Sequence, residues 1–166
     1  MVMDQDQWQV SDQASFLRCY RGSIDRVFRY TAMLCGTDRA AAEDLVQEVY
    51  LHALRRVRAG TLSTITVGYL TLSARHRFLD RVKASQREDR RLRLVAAEPP
   101  HDAAARTEWE PLSALPERER TAIVLRYIDD LTVAGVAEAM GVSIRAAESL
   151  LARAMRRLKE GATRHG

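Results

Sequence analysis

The amino-acid sequence predicts an all-α chain: two small helical domains joined by a flexible linker. Three observations lead there. Of 166 residues only 8 are Gly and 4 are Pro, while Ala, Leu and Arg abound, and those side chains lose little freedom on entering a helix. Apolar residues recur at helical spacing through most of the chain, and no segment alternates as a half-buried strand does. Residues 96–111, "AAEPPHDAAARTEWEP", hold three prolines and no sustained apolar stripe, so they read as the linker between a domain at 13–95 and a domain at 112–163.

The elements follow in order. Residues 1–12 are polar and are expected to fray. A first helix spans about Ser15 to Cys35; Gly36 stops it, and Thr37-Asp38 can cap the second. The second helix reaches about Arg58, its buried stripe being Ala42, Val46, Val49, Tyr50, Ala53 and Val57. Ala59 to Thr66, rich in Gly, Ser and Thr, reads as a loop. A third helix runs from about Val67 into a basic segment. A short helix around Ala103–Trp109 fits within the linker. Beyond it Pro116 stands where a first helical turn tolerates it, and Val124, Leu125 and Ile128 share a face with Thr121.

The segment "GVAEAMGVSIRAAESLLARAMRRL", residues 135–158, has the layout of two helices around a tight bend. Thr132 caps a helix over Val133–Met140. Gly141 ends it, since it takes the left-handed conformation without a Cβ penalty, and Ser143 caps the next. Val136, Met140, Val142, Ala147 and Leu150 let the pair share a core, with Ala137 small where the helices cross. Ile144, Ala147, Leu151, Ala154 and Leu158 form one stripe of the second helix. Arg145, Ser149, Ala152 and Arg156 point the other way, flanked by Glu148 and Arg153. That narrow, polar, basic face suits the major groove of DNA; a solvated helical hairpin is the plainer alternative. Gly135 stands where a Glu would complete a capping box, and weakens the first helix of the pair.

On the second helix a further stripe, Asp44, Gln47, Glu48 and Leu51, lies away from the buried one. A protein partner with basic residues and an apolar slot explains a Leu among carboxylates; an acidic solvated face with an exposed Leu is the alternative.

Net charge is a modest +4, but its distribution is uneven. Arg75, Arg77, Arg81, Lys83, Arg87, Arg90, Arg91 and Arg93 face only Asp80, Glu88 and Asp89. Acids dominate from Glu98 to Glu119, and Arg153, Arg156, Arg157, Lys159 and Arg164 restore basic character. Two basic patches around an acidic connector fit a polyanion held at two places, or a salt-bridged helical surface. Cys19 and Cys35, the only cysteines, read as reduced thiols packed on helices. No stretch approaches membrane-spanning length and no signal peptide is visible, so no membrane insertion and a cytoplasmic location are expected.

Taken together, these segments resemble the extracytoplasmic-function group of bacterial sigma-70-type transcription initiation factors. "AAEDLVQEVYLHAL" looks like that family's helix for docking on the polymerase clamp, and "YLTLSARHRFLDRVKASQRE" like its promoter-melting helix. "LSALPERERTAIVLRYIDDLT" and "VAEAMGVSIRAAESLLARAMRRL" resemble its C-terminal DNA-binding domain. The resemblance implies core RNA polymerase, promoter DNA and an anti-sigma factor as partners, and no cofactor. It implies that Asp44, Gln47, Glu48 and Leu51 contact the clamp. It implies that the Gly60–Thr66 loop, with Gly60 and Thr61, and Arg75, His76, Arg77, Asp80 and Arg81 engage the −10 strand. Ser143, Arg145, Glu148, Ser149 and Arg153 would read the −35 element.

The chain departs from the family pattern at several positions. Tyr69 replaces Trp, His76 replaces Asn, Ser73 replaces an aliphatic residue and Gly135 replaces Glu. On the second helix of the pair Ala147 stands for Val and Leu150 for Arg, which implies an atypical promoter or weaker DNA affinity. No nucleophile–base pair, Gly-rich phosphate loop or metal cluster is visible, and His52, His76, His101 and His165 are scattered. The alternatives are a helix-turn-helix regulator with a helical sensor domain, binding duplex DNA without polymerase, and a small helical enzyme or ligand carrier.

Overall fold

Asp12 starts the first helix. Its carboxylate accepts from the Ser15 backbone amide at 2.7 Å, which satisfies one of the amides that the first helical turn leaves unpaired. Helix α1 then covers Gln13–Cys35, α2 Arg39–Arg58 and α3 Val67–Leu92. After these come one turn, α4, at Glu110–Ser113, α5 at Glu117–Ile123, a π-turn at Val124–Ile128, α6 at Val133–Met140 and α7 at Ile144–Arg164. The computed structural model describes residues 6–92 and 110–164; Pro99, Pro100 and the Ala103–Trp109 helix expected in the linker lie outside the described residues, while Pro111 falls in α4. The all-α expectation holds.

Two corrections concern the ends of the first helices. Residues 7–9 do not fray: Gln7–Gln9 form strand β1, antiparallel to β2 at Thr64–Thr66, with Trp8 opposite Ile65. The stretch after α2 is therefore a loop only as far as Ser63. The ribbon is anchored by burial, since Ile65 is fully buried. Trp8 lies so close over α1 that a Cβ on Gly22 would stand 2.8 Å from its ring. Gly in mid-helix normally weakens the helix; here it makes room for the indole.

The chain divides into two compact units, Met1–Ala32 with Arg39–Phe78, and Met33–Asp38 with Leu79–Gly166. In the first, Val27, Leu45, Val49, Ile65 and Leu70 are fully buried, each such side chain contributing roughly 1.5–3 kcal/mol. The α2 stripe is wider than its spacing suggested: Leu45 joins it, and Val57 is only half-buried. Two buried hydroxyls there satisfy each other. Ser23 donates to the Cys19 carbonyl at 2.6 Å, which leaves its oxygen to accept from the Tyr50 hydroxyl at 2.7 Å. Burial pushes the Tyr50 phenol up to about 12.

Cys19 and Cys35 are free and buried, as expected. Both sit on α1, about 24 Å apart along its axis, too far for a disulfide. Burial raises both thiols, Cys35 to about 11, so neither offers a reactive thiolate at neutral pH. Among the described residues no helix is long and apolar enough to cross a membrane, and no group of His, Cys, Asp and Glu is placed to hold a metal.

The Ser15 amide, then the Ser15 hydroxyl, hold the Asp12 carboxyl below its ordinary value of 3.8. A carboxyl lowered by folding adds stability that is full above 3.8 and is lost as pH falls through the folded value. Asp12→Ala is expected to lower the melting temperature at neutral pH. Its deficit should narrow in acid, as the native cap loses its charge. A deficit of the same size at both pH values would show that the charge plays no part.

Candidate nucleic-acid interface

The second unit is built around a bend. Thr132 accepts from the Gly135 amide at 3.0 Å and starts α6. Gly141 takes the left-handed conformation at φ 65°. Its amide donates to the Glu138 carbonyl at 3.1 Å, and the Val142 amide donates to the Ala137 carbonyl at 3.0 Å. That pair of bonds is a Schellman closure, and Val142 packs on the core as the closure requires. Ser143 then accepts from the Ala146 amide at 3.2 Å and starts α7. Both caps, the terminating glycine and the helix limits match the sequence-based expectation.

Small residues sit inside the bend. Ala137, Ala147 and Ala154 are buried, with Leu125, Val136, Met140 and Leu151 filling the space between α5, α6 and α7. Two expected core residues are not there. Ile128 is exposed because the helix relaxes into a π-turn over Val124–Ile128, with the Asp129 amide donating to the Val124 carbonyl at 3.0 Å. The wider turn rotates residue 128 off the Val124–Leu125 face. Ile144 is 53% exposed although it lies three residues before buried Ala147. It stands at the first position of α7, ahead of the stretch that packs.

The opposite side of α7 is open. Ser143, Arg145, Glu148, Ser149, Ala152 and Arg153 are all exposed. The Ser143 oxygen is committed to its cap, and Ser149 donates to the Arg145 carbonyl at 2.9 Å. Leu150, which stands where the family has Arg, is 4% exposed and belongs to the core. It contributes packing and faces away from the open side. Glu119 on α5, absent from the expected site, is 4% exposed and lies 3.0 Å from the Arg157 Nε and 3.9 Å from the Arg153 Nε. The Arg157 N–H is not aimed along that line, so the contact is an ion pair without a hydrogen bond. A carboxylate next to Arg120 is hard to assign from spacing alone; the signal was an acid in an otherwise buried run.

In the first unit Asp44, Gln47, Glu48 and Leu51 all face solvent on α2, Leu51 at 50%. Beside them lies an apolar depression of about 290 Å³ lined by Phe16, Tyr20, Val46, Gln47, Tyr50, Leu51 and Leu54. Tyr20 packs edge-on against Tyr50, with ring centres 4.8 Å apart. The α1 contribution was missed in the sequence because the α1–α2 pairing is non-local; the i, i+4 pair Phe16 and Tyr20 was the available signal.

The loop after α2 is tied to its own helix. Thr61 donates through its amide to the Arg56 carbonyl at 2.9 Å, while Arg56 donates back to the Thr61 carbonyl at 3.2 Å and lies over the Tyr69 ring at 6.0 Å. Gly60 and Thr61 are exposed on that turn. On α3, His76 and Asp80 are exposed, and Arg75 and Arg81 are partly covered. Arg77 is drawn toward α2, 3.9 Å from Glu48. Leu72, exposed one turn before His76, was not singled out from sequence. Burial and the Arg77, Arg56 and Arg55 charges lower the His52 pKa, keeping it neutral at pH 7.

A capped helix-turn-helix with an open polar face is the layout that helical DNA-binding proteins use. Comparison with known families carries this further. The sigma-70 region 2 model matches residues 19–88 and the sigma-70 region 4 model residues 110–158. The sigma factor SigF of Mycobacterium tuberculosis is 47% identical over 49 residues, 30% of this chain and 19% of SigF. The extracytoplasmic-function sigma factor BldN of Streptomyces coelicolor is 29% identical over 90% of this chain and 61% of BldN. The chain thus matches less than two thirds of the length of these relatives. Among solved structures, the sigma factor RpoE of Bartonella quintana, bound to the anti-sigma factor NepR, shares the fold with a TM-score of 0.51, at 21% identity over 87% of this chain and 94% of RpoE. The two matched regions together span most of the chain, which belongs to the sigma-70 family.

Gly135 remains the weak point of α6. A Cβ there would meet nothing nearer than the Thr132 Oγ1 at 3.4 Å, an ordinary contact. Gly135→Ala should therefore stabilise the helix pair by up to about 1 kcal/mol. Thermal unfolding of the full chain measures this, and a fall in stability would mean that Gly135 has a role beyond the helix.

Proposed function

We propose that this chain is a dissociable specificity subunit of bacterial RNA polymerase. It directs promoter-specific initiation in the cytoplasm and carries out no chemistry itself. The observation that carries the proposal is α7: one side is sunk in the core, and the opposite side is open from Ser143 to Arg153. Residues 13–95 and 112–163 act as separate binding modules, with residues 96–111 as the tether between them.

Three contacts divide the work. Asp44, Gln47, Glu48 and Leu51 dock on the polymerase clamp. Their carboxylates meet its basic residues, and Leu51 with the adjoining apolar depression accepts an apolar side chain. The Gly60–Ser63 loop and the β2 strand that follows it, with Arg75, His76, Arg77, Asp80 and Arg81, hold the separated −10 strand. Opening a duplex needs a holder for the displaced strand, not fuel. A few kcal/mol of unstacking is offset by pocket contacts and charge neutralisation. Ser143, Arg145, Glu148, Ser149 and Arg153 engage the −35 duplex, where base contacts set register and phosphate contacts set strength. An anti-sigma factor holds the chain inactive by occupying these surfaces, and the tether allows the modules to be clamped together or released.

Run-off transcription with bacterial core polymerase tests the proposal. Adding the chain should produce starts at defined template sites. DNA binding without directed starts would make it a duplex-binding regulator instead. Asp44→Arg combined with Glu48→Arg should abolish association with core polymerase while leaving helicity intact; unchanged association would refute the docking face. Arg145→Ala should change preference at the upstream element at a cost of ~1–3 kcal/mol if it makes a bidentate base contact. An identical preference profile in a promoter library would remove Arg145 from the reading set.

A further inference from the structure

The leading end of α7 exposes a side chain that polar recognition does not use. Ile144 is the first residue of α7 and is 53% exposed. The core does not claim it, since packing along this helix starts at Ala147. Its position is fixed by the N-terminal cap of α7: the Ser143 hydroxyl accepts from the Ala146 amide at 3.2 Å, and the Ser143 carbonyl accepts from the Ala147 amide at 3.0 Å. A β-branched side chain on a helix has essentially one χ1 rotamer. Ile144 is therefore a stiff apolar stub at the leading end of α7, with Arg145 beside it and exposed Glu148 one turn further on.

The edges of a DNA duplex offer few partners for such a group. Phosphates give an apolar side chain nothing, and they repel the neighbouring Glu148. The minor groove shows acceptors and one amino donor. In the major groove the apolar feature is the 5-methyl group of thymine, and donors for a carboxylate are the exocyclic amino groups of cytosine and adenine. Side chains four residues apart on one helix face, one apolar and one anionic, suit a thymine methyl beside an amino group.

We infer that Ile144 is a specificity-determining residue that reads a thymine methyl group in the upstream duplex. This rests on the proposal that α7 enters the major groove there. Ile144 adds an apolar contact that Arg145 and Ser149 cannot make, and it is stiff enough to discriminate by position.

The test uses the full chain assembled with bacterial core polymerase. Duplexes randomised in the upstream element are selected for binding, and each thymine of the preferred sequence is then replaced by deoxyuridine, which lacks only the methyl group. One replacement should weaken binding of the native chain about fourfold, the worth of one buried methyl. Ile144→Val should keep that sensitivity. Ile144→Ala should bind the thymine and uracil duplexes alike, with its circular-dichroism spectrum unchanged. A preferred element without thymine, replacements that cost nothing, or an undiminished loss in the Ala variant would each overturn the role of Ile144 while leaving α7 as a DNA reader. Selection that yields no preferred upstream sequence would instead overturn the placement of α7 in the groove, and the role of Ile144 with it.

Discussion

The bend at Gly141 is the constraint on which the rest of the second unit depends. Two backbone hydrogen bonds, from Gly141 to Glu138 and from Val142 to Ala137, close α6. They can form together only with residue 141 left-handed. That closure sets where Ser143 falls, hence where α7 starts, hence which of its sides meets Ala137 and Met140. Had α7 started one residue earlier or later, its helical phase would turn by about 100°. Ala147 would then swing out of the core. The orientation of every exposed side chain from Ser143 to Arg153 thus follows from one glycine and two caps.

In the first unit α2 plays the comparable part. Its inner side is wide, with Ala42, Leu45, Val46, Val49, Tyr50 and Ala53 all buried. A helix so deeply held presents its remaining residues in fixed directions. Gln47 and Leu51 edge the apolar depression that α1 helps to line. The Tyr50 hydroxyl, buried and hydrogen-bonded to Ser23, holds one lining residue of that depression in place. An exposed Leu alone calls for no explanation. An exposed Leu at the edge of an apolar hollow and flanked by carboxylates has a shape and a charge that a partner can match.

Most of this was legible in the sequence where the cause was local. Thr132, Gly141 and Ser143 act on amides within a few residues, so composition and spacing were enough to place them. The misses all have non-local or end effects as their cause. The β1–β2 ribbon joins three-residue segments more than fifty positions apart, too short for any alternation to show. The π-turn inserts an extra residue per turn at Val124–Ile128, and a strict 3.6 count then puts Ile128 on the wrong side. Ile144 fits the apolar stripe by periodicity, but periodicity cannot say where along a helix packing begins. Arg77 and Glu48 were assigned to different tasks, yet they lie 3.9 Å apart, because α2 and α3 place them on facing sides.

Charge on α7 is less available than its sequence suggests. Arg153 and Arg157 share the carboxylate of Glu119, a group almost wholly removed from water. Arg153 also donates from the same Nε to the Ser149 carbonyl at 3.2 Å. A buried carboxylate that lost these partners would be left uncompensated, which is far more costly than losing an exposed ion pair. The two arginines are therefore held back toward α5, and part of their charge is offset before any phosphate approaches. Leu150 gives no cation, since it is spent on packing. What remains open at the leading end is Ile144, Arg145 and Glu148: one apolar, one cationic and one anionic side chain. If α7 enters a DNA groove as proposed, a face of that make-up gains little from phosphates in general and most from particular base edges, and its contribution would lie in selecting the site more than in tightening the grip.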